Sequence, residues 1–126
     1  MNWKIFLMIY ISTMMIDCQP NTGEYKDLDV NDKTFRKIFF SLERQMDDRL
    51  DSNIVHRIAK IRQAQIQVVS GIKYRAAFNF GETNCQKTNV KDIKSCDFNG
   101  KYLSCFAEIW SQSWLNKTVL LHFTCL

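Results

Sequence analysis

Between Asn31 and Leu50 the apolar residues fall at Phe35, Ile38, Phe39, Leu42, Met46 and Leu50. Steps of three and four place them on one face, so the spacing predicts a helix over residues 31–50. Asn31 or Asp32 suits its N-cap, where a short side-chain oxygen accepts from an otherwise unpaired amide. Asp47, Asp48 and Asp51 oppose the helix dipole at the other end and predict fraying there. After Gly71 the period drops to two. Ile72, Tyr74, Ala76, Phe78 and Phe80 alternate with Lys73, Arg75, Ala77 and Asn79, as in a half-buried strand. Leu103, Cys105, Ala107 and Ile109 repeat the alternation, and Thr118 to Cys125 reads as a final strand. Gly81 to Asn84 and Asp97 to Gly100 read as turns.

Residues 54–66 fit both periods. Ile54, Val55, Ile58 and Ile61 have helical spacing, whereas Ile58, Ala64, Ile66 and Val68 fit alternation. The turn at Ser70-Gly71 leads into a clear strand, so a hairpin requires a strand before it as well. One helix followed by several antiparallel strands is an α+β layout, with the sheet burying the apolar helix face.

At the N-terminus a single positive charge, Lys4, precedes a short apolar run from Ile5 to Ile16. The run is shorter than the roughly 20 residues needed to span a bilayer. It has the form of a secretory signal peptide, expected here as residues 1–18 with cleavage after Cys18. The mature domain is then 19–126, a secreted, extracellular chain with no membrane attachment. Cleavage removes one base and one acid, Lys4 and Asp17, and leaves the net charge at +4. The densest basic stretch, His56-Arg57 with Lys60 and Arg62, is interrupted by apolar residues and does not point to nucleic acid.

Loss of Cys18 reduces five cysteines to four, Cys85, Cys96, Cys105 and Cys125. Four cysteines in a small secreted domain imply two disulfides, with three connectivities open. Neighbour pairing, Cys85 with Cys96 and Cys105 with Cys125, closes two short loops and is the simplest. Catalytic chemistry is hard to find. His56 and His122 stand in no metal-ligand spacing, no glycine-rich phosphate loop is present, and Glu43, Asp47 and Glu108 read as surface charges. Neither an enzyme, a metal nor a cofactor is indicated.

The sequence Gln67-Val68-Val69-Ser70-Gly71 stands 18 residues before Cys85, Cys105 stands 20 before Cys125, and Trp114 follows Cys105 by nine. With the signal peptide and the long helix, these features resemble a secreted cystatin of the two-disulfide type. Gln67, Val69 and Gly71 meet that family's glutamine-x-valine-x-glycine pattern, and the likeness runs from Gly23 to Cys125. The resemblance implies a five-stranded antiparallel sheet wrapped around one long α-helix. It implies a monomer that reversibly inhibits papain-like cysteine proteases with a wedge of three segments. Residue by residue, those segments fall at Gly23, at Gln67 through Gly71, and at Ser113-Trp114.

The chain departs from the family at Ser113, where a proline is usual, and at Asn21-Thr22, where bulky apolar residues are common. These departures favour an alternative, a cystatin-fold extracellular interaction protein with weak or no inhibition. Ser52-Asn53 is similar to the pair through which some cystatins inhibit legumain, which makes Asn53 a second binding residue. Asn116-Lys117-Thr118 is an N-glycosylation sequon beside Trp114.

Overall fold

The computed structural model describes residues 23–126; the expected signal peptide and Asn21-Thr22 lie outside them. The chain runs β1 (Lys26–Leu28), α1 (Lys33–Ser41), α2 (Glu43–Arg49), β2 (Ile54–Val69), β3 (Gly71–Gln86), β4 (Phe98–Gln112) and β5 (Lys117–Cys125). The five strands form one antiparallel sheet in the order β1-β2-β3-β4-β5. Phe35 and Phe39 of α1, Leu42 between the helices and Met46 of α2 pack on Tyr74, Phe78, Phe80, Ala107 and Ile109. The α+β reading holds.

The predicted single helix is interrupted at Leu42. Asp32 is the N-cap, its Oδ2 accepting from the Phe35 N–H at 3.0 Å. Near the end of α1 the Ser41 hydroxyl donates back to the Ile38 carbonyl at 2.5 Å, a competing bond that bends helices. Leu42 departs from helical geometry at φ −98°, ψ 1°, and a second short helix begins. The apolar stripe crosses the break intact, which is why spacing alone reads as one helix.

Residues 54–66 are strand, and their mixed period has a structural cause. Register shifts fall between Ile54 and His56, Ile58 and Lys60, and Ile61 and Gln63. The last two shifts each insert one residue into β2, so buried Ile58, Ile61 and Ala64 recur every three positions and imitate a helix. Gly81 to Asn84, expected as a turn, instead lies inside β3 at another register shift, where Thr83 Oγ1 donates to the Val55 carbonyl at 2.7 Å. Phe98 to Gly100, from the second expected turn, begins β4, with Gly100 at φ +94°. Disulfides join Cys85 to Cys96 and Cys105 to Cys125 across loops of 11 and 20 residues. Loops of this size gain about 2–4 kcal/mol from cross-linking.

Glu43 and Asp47 are not surface charges. Both are nearly fully buried, under the first bulges of β2. Glu43 Oε2 accepts the Ile58 N–H at 2.7 Å and Asp47 Oδ1 the His56 N–H at 2.9 Å. The carboxylates therefore clamp α2 to the irregular strand. Lys87 Nζ completes the clamp by donating to the carbonyls of Asp47 and Leu50 at 2.7 and 2.8 Å. Burial pushes both carboxyls above their ordinary values of 4.5 and 3.8, against the pull of those backbone amides. The folded state then binds protons that the unfolded chain releases, so this pair's contribution to stability falls as pH rises through the raised values and is regained in mild acid. Glu43→Gln is expected to flatten that dependence. Melting temperatures followed from pH 7 down toward the ordinary carboxylate range check it, the wild type gaining on the variant as pH falls.

Candidate functional site

At one end of the sheet three separate segments meet. β2 and β3 join through a tight turn at Ser70, and Gly71 takes φ +92°, a backbone conformation that side-chain-bearing residues rarely adopt. A Cβ at Gly71 would stand 2.6 Å from the Ser111 carbonyl oxygen and 3.3 Å from the Trp114 ring. Glycine is thus required twice over, by the dihedral and by the closeness of the second hairpin. Gly23 belongs to the N-terminal segment; its N–H donates to the Val68 carbonyl at 3.1 Å. Gln67 answers from the same strand as Val68, its Nε2 donating to the Gly23 carbonyl at 2.7 Å.

The second hairpin leaves β4 at Gln112, makes one tight helical turn over Ser113–Leu115 and returns through Asn116. Asn116 takes the left-handed conformation, φ 47° and ψ 46°, and its N–H donates to the Ser113 carbonyl at 3.0 Å. Asparagine tolerates this geometry better than most residues, so the reversal closes without a proline. Trp110, which the sequence reading passed over, ties the two hairpins together. Its indole N–H donates to the Ser70 carbonyl at 2.8 Å. The signal was its parity: Cys105, Ala107 and Ile109 face the core, so the even-numbered residues of β4 face the other way.

The segments so joined present an apolar tip. Val68 is 63% exposed and Trp114 and Leu115 are each 57% exposed, while Val69 is half-buried. Leu115 is a second residue that the sequence reading missed. Behind the tip, the N-terminal segment is anchored again by Tyr25, whose hydroxyl donates to Glu108 Oε2 at 2.6 Å. The Arg75 guanidinium lies 3.7 Å from the Tyr25 ring centre. Burial, with the hydrogen bond to Glu108, pushes the Tyr25 hydroxyl up to about 12. Burial also works to raise Glu108, but hydrogen bonds from Tyr25 and Arg75 outweigh it and hold the carboxyl below its ordinary value. The exposed side chains of Val68, Trp114 and Leu115 are all uncharged, so what they can do chemically is fill an apolar cleft.

Asn53 lies apart, exposed in the loop between α2 and β2, with its carbonyl accepting from the Lys87 N–H at 2.8 Å. The sixteen residues of β2 separate it from the hairpin end by roughly 50 Å of strand. Asn116 is exposed on the second hairpin. Among the described residues no three His, Cys, Asp or Glu side chains are gathered to hold a metal ion, and no helix is long and apolar enough to cross a membrane.

The chain is similar to known proteins in sequence and in fold. A family profile described as the cystatin domain matches residues 44–114. The chain is 32% identical to a cystatin-1 from Chilobrachys guangxiensis over 127 aligned residues, covering 97% of this chain and 94% of that protein. It is 31% identical to a cystatin-1 from Crotalus adamanteus, covering 97% and 93% respectively. The fold is similar to that of dimeric human cystatin F, with a TM-score of 0.74 at 23% identity over 86% of this chain and 90% of that one.

Proposed function

The chain belongs to the cystatin family, whose members are generally cysteine protease inhibitors, and from that premise we propose that it is a secreted, reversible inhibitor of papain-like cysteine proteases. The observation that carries this reading is the stitching of Gly23, the Ser70 turn and the Ser113–Leu115 turn into one apolar tip. Val68, Trp114 and Leu115 enter the active-site cleft, and the backbone around Gly23 runs along it without being cut. Little ordering remains to be done on docking because the segments are already hydrogen-bonded to one another, so burial is converted efficiently into affinity. The chain acts as a monomer, outside the cell, with neither catalysis nor a cofactor.

Trp110 is a positioning residue in this account. Trp110→Phe keeps most of the ring and removes the N–H that holds the Ser70 carbonyl. A neutral hydrogen bond contributes about 0.5–1.5 kcal/mol, so inhibition is expected to weaken by roughly 2- to 12-fold, mainly through faster dissociation. Stopped-flow association and dissociation rates with papain check this; an unchanged dissociation rate would remove Trp110 from the wedge.

The alternative, a cystatin-fold interaction protein without strong inhibition, draws on Ser113 and on the polar Asn21-Thr22. Ser113 weighs little, because its carbonyl and the left-handed Asn116 already close the turn. A second activity, against legumain, is assigned to the exposed Asn53. Asn53→Ala should abolish inhibition of legumain while papain inhibition stays unchanged, and loss of neither or of both contradicts the assignment.

A further inference from the structure

The large apolar side chains left exposed within the strands and turns fall into two groups. Val68, Trp114 and Leu115 belong to the hairpin tip, whereas Phe98, Tyr102 and Phe106 do not. These three aromatics lie on β4 with Tyr102 opposite Gly81 and Phe106 opposite Ala77, on the sheet face turned away from the helices. Tyr102 stands ten residues along β4 from Gln112, roughly 30 Å from the second hairpin.

The aromatic row is built into the sheet. A Cβ at Gly81 would come within 2.5 Å of Phe98 and 3.0 Å of Tyr102, so only glycine lets both rings rest there. The two ring centres are 6.0 Å apart. Arg57, opposite Gly81, holds its guanidinium 5.3 Å from the centre of Phe98. Its Nη1 donates to the Cys96 carbonyl at 2.8 Å, and its Nε is buried without a partner. Lys60 stands opposite Asn79 on the same face. Arg62 reaches across β3, its Nη2 donating to Ser104 Oγ at 2.7 Å.

Carboxylates and cations share this face, but the cations of β2 stand without acidic partners. Among the described residues no carboxylate lies within 4 Å of a charged nitrogen of Arg57, Lys60 or Arg62. Glu108 is already engaged by Tyr25 and Arg75. Glu82 lies in a small cleft with Lys101 and Tyr102. Asp97 adjoins Phe98 in sequence, and its N–H is held by the Asn84 side chain. Exposed rings interleaved with unpaired cations suit a chain whose units carry both a flat face and an anion. Exposed patches of this kind mark interaction surfaces.

We propose that the outer face of the sheet binds a sulfated polysaccharide, with Arg57, Lys60 and Arg62 on the sulfates and Phe98, Tyr102 and Phe106 against the sugar rings. Guanidinium groups match the planar, two-oxygen edge of a sulfate as they match phosphate. The two disulfides favour an oxidising compartment, and the preference for a sulfated glycan over nucleic acid rests on the extracellular reading above. Because the face is remote from the hairpin tip, a glycan-bound inhibitor still presents its wedge.

Immobilised heparin tests the proposal. The wild type should be retained at about 0.15 M salt, where unspecific attraction is largely screened. The triple variant Arg57→Ser/Lys60→Ser/Arg62→Ser should lose at least about tenfold in affinity, and Phe106→Ser should elute earlier than the wild type. The control Lys33→Ser/Lys37→Ser/Arg44→Ser removes equal charge from the helices and should elute much nearer to the wild type. Equal elution of the two triple variants would reduce the effect to net charge and overturn the proposal. So would competition by fully desulfated heparin, or tighter binding of polyuridylate or of phosphatidylserine vesicles. Papain inhibition by the same variants, expected to match the wild type, confirms that they fold. Lost heparin binding with intact wild-type inhibition sinks this inference alone; lost wild-type inhibition sinks the protease reading instead.

Discussion

Trp114→Ala is expected to weaken inhibition of papain by about 30- to 300-fold, with the fold unchanged. A tryptophan side chain offers about 150–250 Å² for burial. Trp114 keeps 57% of its surface exposed, so roughly 85–140 Å² remains to be covered by a protease. At about 25 cal/mol per Å² that is about 2–3.5 kcal/mol, and 1.4 kcal/mol is a factor of ten. The figure is smaller than full burial of an indole would give, because Trp114 already leans over Gly71. Its exposure also means that truncation leaves no cavity in the core, so the melting temperature should move little. Inhibition constants and melting curves for the pair check both halves. A variant that inhibits within threefold of the wild type would show that the second hairpin does not dock.

Gly71→Ala is expected to cost about 10- to 300-fold in inhibition through a different route. Alanine at φ +92° is strained by roughly 1–2 kcal/mol. Its Cβ would also stand 2.6 Å from the Ser111 carbonyl and 3.0 Å from Trp110 Nε1. Backbone cannot yield there without moving one hairpin away from the other, which breaks the Trp110 bond to Ser70 and removes about another 0.5–1.5 kcal/mol. Part of the strain falls on the unbound fold, so this variant should melt earlier than the wild type, in contrast to Trp114→Ala. Unchanged melting together with unchanged inhibition would contradict the geometry of the turn.

Much of the tip was legible because its chemistry is local. A glycine after Ser70 between two apolar runs announces the turn, and the distances to Cys85, Trp114 and Cys125 place it in a larger pattern. The bulges of β2 were not legible, since two inserted residues turn a period of two into one of three between Ile58 and Ala64. The break at Leu42 coincides with the backward bond of the Ser41 hydroxyl, and periodicity has no term for it. Glu43 and Asp47 carried a signal: they stand four and eight residues after Phe39, on the apolar stripe itself. Charge argued for the surface there, and unpaired amides of a bulged strand decided for the interior. Trp110 could have been placed by parity along β4, whereas Leu115 depends on the tight turn that only the backbone reveals.

The joined hairpins and the Gly23 segment are expected to close a protease cleft. Titration of papain with the oxidised mature protein, following residual hydrolysis of a small peptide substrate, tests it most directly. Activity is expected to fall linearly with added protein to an equivalence point of one inhibitor per active site, and to recover slowly on dilution. Full papain activity at micromolar concentrations of the folded protein would contradict it.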